Sequence, residues 1–247
     1  MLGVQNASMW KRISALLLDV ILLAVAATGF ASLISSAVSY DEKSEQLSAI
    51  EQRYEQQYGI SFDLTEEQLS ALTPEQQSAY TAAGEALTAD VQAQNLYRQV
   101  LLLMLLITSL GIFFAFLLLE FAVPLLLGDG QTVGKKVFGL CLVRPDCIRV
   151  SPMQLFTRAI LGKYAVETMV PVLLLVLIFF GELGFTGTLV LAALALGQSA
   201  LVGCSRNNTA LHDLLAHTVC ADRESQLIFA GASALDEYIQ SHSSAER

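Results

Sequence analysis

The chain has 247 residues, of which 54% are hydrophobic and 15% are charged, and its mean hydropathy is +0.54. This composition excludes an ordinary soluble domain and indicates an integral α-helical membrane protein. The net charge of −9 comes from residues 41–97, which hold eleven acidic and two basic side chains, since the other residues hold twelve of each. No basic patch with interleaved aromatic residues occurs, which speaks against a nucleic-acid partner.

The first apolar segment, residues 13–38, is long enough to cross a bilayer core of roughly 30 Å, which takes about 20 helical residues. Lys11 and Arg12 stand at its start, and Asp19 is its single acidic residue. A helix places Arg12 and Asp19 on nearly the same face, with Asp19 about 10 Å deeper. A carboxylate at that depth needs a partner, a water-filled cavity or a proton. Asp19 also argues for a retained helix rather than a cleaved secretory signal.

The following segment, residues 40–97, is polar, acidic and rich in Gln, Glu and Ala. Two capping boxes, each a threonine followed three residues later by a glutamine, predict helix starts within it. They are Thr65 with Gln68 and Thr73 with Gln76. We expect a helical hairpin outside the bilayer, with a break near residues 58–61. A solvated acidic spacer is favoured over a ligand-binding domain.

The second apolar segment, residues 100–127, is longer than one perpendicular crossing requires, at about 42 Å for 1.5 Å per residue, and must tilt or protrude. Pro124 predicts a kink near its end. Glu120 is the acidic residue inside it, and in an antiparallel pair of spans it lies at about the depth of Asp19. Two carboxylates at one level would need a cation to remain ionised together.

The next segment, residues 130–140, reads GQTVGKKVFGL. Its glycines and Lys135 are typical of phosphate-binding loops, but the spacing from the first glycine to the Gly-Lys pair does not fit that motif. A basic loop at the membrane edge is therefore the favoured interpretation. Residues 142–150, in which a Pro-Asp pair separates two apolar runs, predict two short strands around a turn.

The distribution of basic residues predicts the orientation of the chain. Residues 127–165 hold six basic side chains and two acidic ones. The basic ones are Lys135, Lys136, Arg144, Arg149, Arg158 and Lys163. Lysine and arginine are enriched in short cytoplasmic loops, so we expect both termini to be cytoplasmic.

The third span begins at Pro152 and ends at Gly181, with charged residues in its first turns. The strictly apolar part is short, so those first turns should enter the membrane interface. They carry Arg158, Lys163 and Glu167. Because Glu167 follows Lys163 by four residues, we expect these two side chains to pair on one helix face.

The fourth span, residues 185–202, carries the polar residue Gln198 near its inner end. Residues 210–219 then predict a short amphipathic helix at the inner surface. Asp213 in this helix could reach Arg12 at the same interface. The two histidines of the segment are five residues apart and so lie on different helix faces, which argues against a metal site.

The order of these features resembles the RDD family of bacterial membrane proteins, which is named for one arginine and two aspartates. The resemblance covers residues 8–38 and 122–222, while residues 40–97 look like an insertion. It rests on Arg12 and Asp19 in the first helix, the loop GQTVGKKVFGLCLVR, Arg158 in the third span and the closing LHDLLAHTV. The family's arginine falls on Arg12 and its aspartates fall on Asp19 and Asp213. His217 stands where the family usually has a glycine.

The resemblance implies a protein of the bacterial inner membrane with a transport role, and some members of the family look like sodium/proton antiporters. An antiporter needs a carboxylate whose pKa is raised toward neutrality by burial, so that it binds either a proton or a cation. Asp19 and Glu120 are the candidate ion- and proton-binding residues, with Gln198 or main-chain carbonyls as neutral oxygen ligands for a monovalent cation. Four spans are few for a transporter, so transport would require a homo-oligomer.

The alternative function is a non-catalytic membrane assembly or partner-binding subunit. In that case the charged residues form a structural network made of Arg12, Asp19, Asp213 and Arg158. The surroundings of Asp19 distinguish the two functions. Transport requires that Asp19 face Glu120 in a cavity open to water, whereas the structural function requires that it face Arg12 and Asp213 in a closed network. The sequence holds no nucleophile–base pair, credible metal cluster or cofactor loop. We therefore expect no enzymatic activity, catalytic residue, metal or cofactor, and we expect lipid, monovalent cations and protons as partners.

The predicted fold is all-α, a polytopic membrane protein with about four transmembrane helices and an extracytoplasmic helical hairpin insertion. Four segments make up the chain. They are the first transmembrane helix, 1–39, the acidic extracytoplasmic insertion, 40–97, the remaining RDD-like membrane domain, 98–222, and a polar cytoplasmic tail, 223–247.

Overall fold

A computed structural model of the protein describes residues 3–5, 7–179, 183–204 and 210–245. Within these ranges four helical segments are long and apolar enough to cross a membrane. They are Met9–Ala37, Val91–Leu127, Pro152–Phe179 and Gly184–Leu201. The described part of the chain is 76% helical, so the predicted all-α polytopic fold is confirmed. The predicted end of the third span, Gly181, lies outside the described residues.

The outward faces of these helices are those of a membrane protein. Helix α1, Met9–Ala37, exposes a stripe of large apolar side chains that a soluble protein would bury. They include Leu16, Leu17, Val20, Ile21 and Val25. Lipid is the solvent that such a surface requires.

Two residues in the left-handed conformation bound the next helix, α2, Tyr40–Tyr58. Ser39 has a φ of 53° and separates α2 from α1, while Gly59 has a φ of 65° and ends α2. The Gly59 N–H bonds to the Glu55 carbonyl, and glycine adopts this conformation without a steric penalty. The predicted break at 58–61 is therefore confirmed.

Both predicted capping boxes are present in the same region. Helix α3, Glu66–Ser70, begins after Thr65, and helix α4, Pro74–Ala89, begins after Thr73. In each box the threonine hydroxyl accepts from the glutamine N–H, and the glutamine side chain accepts from the threonine N–H. A small core joins α2 to the start of α5, and it consists of Ile50, Ala93 and Leu96.

The chain divides into two compact units. One contains residues 1–30 and 111–247, and the other contains residues 31–110. The predicted insertion, 40–97, lies within the second unit. The boundaries fall inside helices α1 and α5, Val91–Phe116. All charged residues singled out above for function belong to the first unit.

Two spans contain π-helical segments. Helix α5 continues as π1, Leu117–Ala122, and then as α6, Val123–Leu127. Pro124, in α6, has no N–H for the carbonyl four residues before it, so the preceding turn closes with i→i+5 bonds instead. The third span consists of α8, Pro152–Phe156, a long π2, Thr157–Met169, and α9, Val170–Phe179. Pro171 stands just beyond π2.

The loop after the second span folds into helix and strand. Helix α7, Val133–Val137, is followed by strand β1, Leu140–Val143, which pairs antiparallel with β2, Val219–Asp222. The predicted turn at residues 145–146 is present, and Val143 bridges Arg149 across it. The predicted second strand is wrong, since Ile148 and Arg149 form only isolated bridges. All four β1 residues are buried, and β2 gives them a partner with three buried residues of its own.

The remaining elements are helical. Helix α10, Gly184–Cys204, forms the fourth span. Helix α11, Leu211–Ala216, lies within the predicted amphipathic segment, and α12, Ala232–Ala245, follows β2. Helix α11 ends at His217, whose φ of 54° is left-handed. Glycine is the residue that favours this conformation, so the histidine adopts it at a steric cost.

Candidate functional site

Asp19 binds the turn that begins helix α7. Its Oδ1 atom accepts a 2.7 Å hydrogen bond from the Gly134 N–H, and its Oδ2 atom accepts from the Thr132 hydroxyl. The Lys135 Nζ atom lies 3.8 Å from Oδ2. The carboxylate is 9% exposed, so these contacts replace most of its hydration. Asp19 therefore anchors the membrane-edge loop to the first span.

Glycine is required at position 134 by close packing. A Cβ atom added there would lie 2.3 Å from the Ala15 carbonyl oxygen and 2.8 Å from Asp19 Oδ1. The carbonyl belongs to helix α1 and cannot move without disturbing the helix. Gly134 thus allows helix α1 to pack directly on the loop. This contact gives the Gly-Lys pair a structural role in place of the phosphate-binding role that it resembles.

Arg158 contacts three other charged or polar side chains. Its Nε atom donates to Asp213 Oδ1 at 2.9 Å, and an Nη2 atom donates to His212 Nε2 at 2.9 Å. Its Nη1 atom lies 4.0 Å from Glu120 Oε2. The guanidinium is 6% exposed, and it joins π2 to both π1 and α11. The fork of donors on arginine suits this role better than a lysine would.

Lys163 pairs with Glu120 and not with Glu167. The Lys163 Nζ atom lies 2.6 Å from Glu120 Oε1, while Glu167 accepts from the His212 main-chain N–H and Nδ1 at 2.9 and 2.7 Å. The expected Lys163–Glu167 pair is therefore wrong. The Oε2 atom of Glu120 has no hydrogen-bond partner among the described atoms.

The π-helix explains this choice of partners. A π-helix has about 4.4 residues per turn, so residues 158, 163 and 167 fall close to one face, whereas an α-helix would spread them around its axis. Gly162 lies on the same side, and a Cβ atom there would be 2.6 Å from His212 Cβ. Helix α11 consequently packs directly on π2.

The hydrogen bonds of His212 define its protonation state. Arginine can only donate, so Nε2 accepts from Arg158 and the ring proton sits on Nδ1, facing Glu167. Burial lowers the pKa of His212, and the Arg158 charge lowers it further. His212 is therefore a neutral donor to Glu167.

Two other ionisable groups close to Arg158, both outside the spans, have shifted pKa values. Burial opposes ionisation of Asp213, but the Arg158 guanidinium and the Thr218 hydroxyl hold the Asp213 pKa well below its usual range. Burial and the nearby Lys163 charge lower the pKa of Lys135 to about 8, although Glu120 and Asp19 oppose the shift.

A cavity of about 200 Å³ lies among these residues. Its charged and polar lining consists of Arg12, Asp19, Lys135, Arg158, Lys163, His212 and Asp213. The four residues predicted to form a charge network all border it. Glu120 lies behind the lining, and Gln198 does not belong to it.

The candidate ion-binding residues have separate surroundings in the structure. Asp19 bonds to the turn before α7, whereas Glu120 bonds to Lys163 of π2. Asp19 was predicted to face either Glu120 or the Arg12–Asp213 network. Its hydrogen bonds go instead to the loop that was predicted to be a basic loop at the membrane edge. The signals for that loop were Thr132, a helix-capping residue, and the glycine two residues after it. The roles of Lys135 and His212 had no comparable signal.

Comparison with known proteins identifies the family. No curated protein and no solved structure matches the chain significantly. Residues 6–217 match the RDD family, a range that includes every charged residue of the site. The chain therefore belongs to the RDD family, and it is a membrane protein.

Proposed function

We propose that this RDD-family protein is a non-catalytic membrane assembly or partner-binding subunit, and that its buried charges form a structural network. The observation that supports the proposal is the balance of these charges. Four carboxylates, Asp19, Glu120, Glu167 and Asp213, stand among four basic side chains, Arg12, Lys135, Arg158 and Lys163. Each carboxylate accepts a hydrogen bond from another part of the chain.

The network connects segments that are distant in sequence. Asp19 ties α1 to the turn before α7, Glu120 ties π1 to π2, and Asp213 ties α11 to π2. Breaking a buried pair leaves an uncompensated charge, at a cost of about 3–5 kcal/mol. Such contacts fix the relative positions of helices that lipid alone would not hold in register.

The same contacts disfavour a resident cation. A monovalent cation is held by several oxygen ligands with excess negative charge. Here Glu120 faces the Lys163 ammonium group and Asp213 faces the Arg158 guanidinium group. Both Asp19 oxygens accept hydrogen bonds from the turn before α7. Within the described part of the chain, no cluster of three or more His, Cys, Asp or Glu residues is arranged to hold a metal ion.

Cation/proton exchange is the second candidate, and one observation favours it. Asp19 borders the cavity beside Lys135, whose pKa is lowered to about 8 by burial. Loss of the Lys135 proton would free Asp19 to bind a cation from the cavity. Glu120 would then carry the second charge, Gln198 or main-chain carbonyls would complete the ligand set, and a homo-oligomer would supply the pathway.

Proton flux in proteoliposomes separates the two candidates. The wild type is compared with Asp19→Asn and Glu120→Gln under sodium, lithium or potassium gradients, with Lys136→Gln as a control on an exposed residue. For a structural subunit we expect no flux with any cation and a loss of thermal stability in the two acid variants. Flux that requires both acids, in variants that remain folded, would establish an exchanger.

We also propose that the protein lies in a bacterial inner membrane with both termini in the cytoplasm. The excess of lysine and arginine in residues 127–165 supports this orientation. Single cysteines placed at exposed Lys136 and in the 40–97 insertion would report it through an impermeant thiol reagent in intact cells, in a background with the native cysteines replaced. We expect labelling at the insertion alone, and labelling at position 136 would overturn the assignment.

A further inference from the structure

The walls of the cavity carry an excess of positive charge. Four basic side chains line it, Arg12, Lys135, Arg158 and Lys163, against two carboxylates, Asp19 and Asp213. The two compensating acids do not belong to the lining. Glu120 bonds to the lining residue Lys163, and Glu167 bonds to the neutral lining residue His212. A small anion in the cavity would therefore lie nearer to the four basic side chains than to the carboxylates of Glu120 and Glu167.

The two lysines keep hydrogen-bond donors for such an anion. An ammonium group has three N–H donors. The Lys163 Nζ atom uses one of them on Glu120, and the Lys135 Nζ atom uses one on the Thr132 hydroxyl, at 3.1 Å. Both side chains are nearly buried, with exposed fractions of 11% and 9%. A buried donor without an acceptor is costly, so a ligand that accepts hydrogen bonds is favoured.

The rim of the cavity has a different character. Met9, Ile13 and Leu16 of helix α1 line it, and they are 42%, 39% and 54% exposed. These residues belong to the apolar surface that α1 presents to lipid. The site thus combines buried cations with an apolar approach from the bilayer, at the end of the span where Lys11 and Arg12 mark the interface.

We propose that this cavity binds a phosphate group, and that an anionic phospholipid headgroup presents it to Lys135 and Lys163, with Arg12 adding positive charge to the cavity wall. Basic pockets between transmembrane helices recognise such headgroups through their charge. The volume accommodates a phosphate group, and the acyl chains would lie along the exposed apolar side chains of α1. The proposal does not depend on whether the protein transports ions.

Native mass spectrometry of the full-length protein in detergent tests the proposal. The protein is offered equal amounts of phosphatidylglycerol and phosphatidylcholine, and the retained lipid is counted. We expect phosphatidylglycerol to be retained preferentially. Removing one cation should reduce this preference about fivefold in Arg12→Gln and in Lys135→Gln. Lys136→Gln should retain the preference for phosphatidylglycerol, because Lys136 is exposed. It is a matched control, since it removes the same charge as Lys135→Gln from the neighbouring position.

A second measurement distinguishes a lipid from a free anion. Inorganic phosphate is added to the wild type in neutral detergent, and thermal unfolding is followed with chloride at equal ionic strength as the reference. Stabilisation by phosphate together with displacement of phosphatidylglycerol supports the phosphate site. Stabilisation by phosphate without lipid preference assigns the site to a free phosphate.

Two results would overturn the inference. One is equal retention of the two lipids by the wild type together with no specific effect of phosphate. The other is an equal loss of preference in Lys136→Gln and Lys135→Gln, which would show a general surface charge effect. Because the wild-type measurements need no variant, a Lys135 variant that fails to fold leaves the test intact. Ion flux would contradict the structural function but would not bear on this result.

Discussion

Arg158 and Asp213 form the buried ion pair that attaches helix α11 to the third span, with Nε and Oδ1 2.9 Å apart and side chains 6% and 2% exposed. They are 55 residues apart in the chain. Neither group can be hydrated in place, so each depends on the other for its charged state. The pair therefore fixes the position of α11, and with it one wall of the cavity.

Arg158→Met should lower the free energy of unfolding by about 3–5 kcal/mol, because Asp213 and Glu120 lose their shared cation. Denaturant titration in mild detergent measures the loss. Arg144→Met is the control, since its pair with Asp146 is about 40% exposed and should cost at most about 1 kcal/mol. Equal losses in the two variants would contradict a buried network centred on Arg158.

A double-mutant cycle should show that Lys163 is coupled to Glu120 rather than to Glu167. We expect a coupling energy of about 1–3 kcal/mol for Lys163→Met with Glu120→Gln, because the two groups are 2.6 Å apart and buried. For Lys163→Met with Glu167→Gln we expect about 0.5 kcal/mol or less. The reverse order would mean that the third span is α-helical at these residues and not π-helical.

Gly134→Ala should destabilise the protein by about 1–3 kcal/mol, since the added methyl group would overlap the Ala15 carbonyl of α1. The transition temperature of the variant measures the effect. Gly29→Ala is the matched control and should not destabilise the protein. A Cβ atom at Gly29 meets nothing within 4 Å, and alanine favours the helix. A neutral Gly134→Ala would contradict the close contact between α7 and α1.

The lowered pKa of Lys135 predicts a rise in stability at alkaline pH. Burial lowers this pKa from 10.5 to about 8, so between these values the unfolded chain binds the proton and the folded chain does not. Stability from this group should therefore increase with pH across the window, by up to about 3 kcal/mol, and be constant below pH 8. The measurement is the difference in unfolding free energy between wild type and Lys135→Met from pH 7 to 10.5. Lys136→Met should give a flat difference, and a flat curve for both variants would refute the shift.

His217→Gly should stabilise the protein by about 1 kcal/mol, because His217 has a φ of 54° and glycine adopts that conformation without a steric penalty. Asparagine also tolerates it, so His217→Asn should fall between wild type and His217→Gly. Thermal unfolding of the three proteins gives the order. A destabilised His217→Gly would indicate that the histidine side chain has a role beyond ending α11.

The sequence alone determined the features that depend on neighbouring residues. The four spans follow from runs of apolar side chains, since a helix needs about 20 of them to cross the bilayer. The capping boxes at Thr65 and Thr73, and the end of α2 at Gly59, follow from hydrogen bonds within one helical turn. Asp19 and Glu120 were identified as notable because charge is rare in such segments. Arg158 and Asp213 were identified through the resemblance to the RDD family.

Only the tertiary structure decided which charges meet. Regular α-helical periodicity paired Lys163 with Glu167, but π2 turns Lys163 toward Glu120 and leaves Glu167 to His212. Asp19 binds Thr132 and Gly134, which are 113 and 115 residues away in the chain. Nothing in the sequence of that loop indicates that it contacts helix α1. All four residues of β1 likewise pair with β2, while only Val143 forms a bridge to the nearer segment, at Arg149. The physical reason is common to all three: contacts between distant segments depend on helix geometry and burial that emerge only when the whole unit packs.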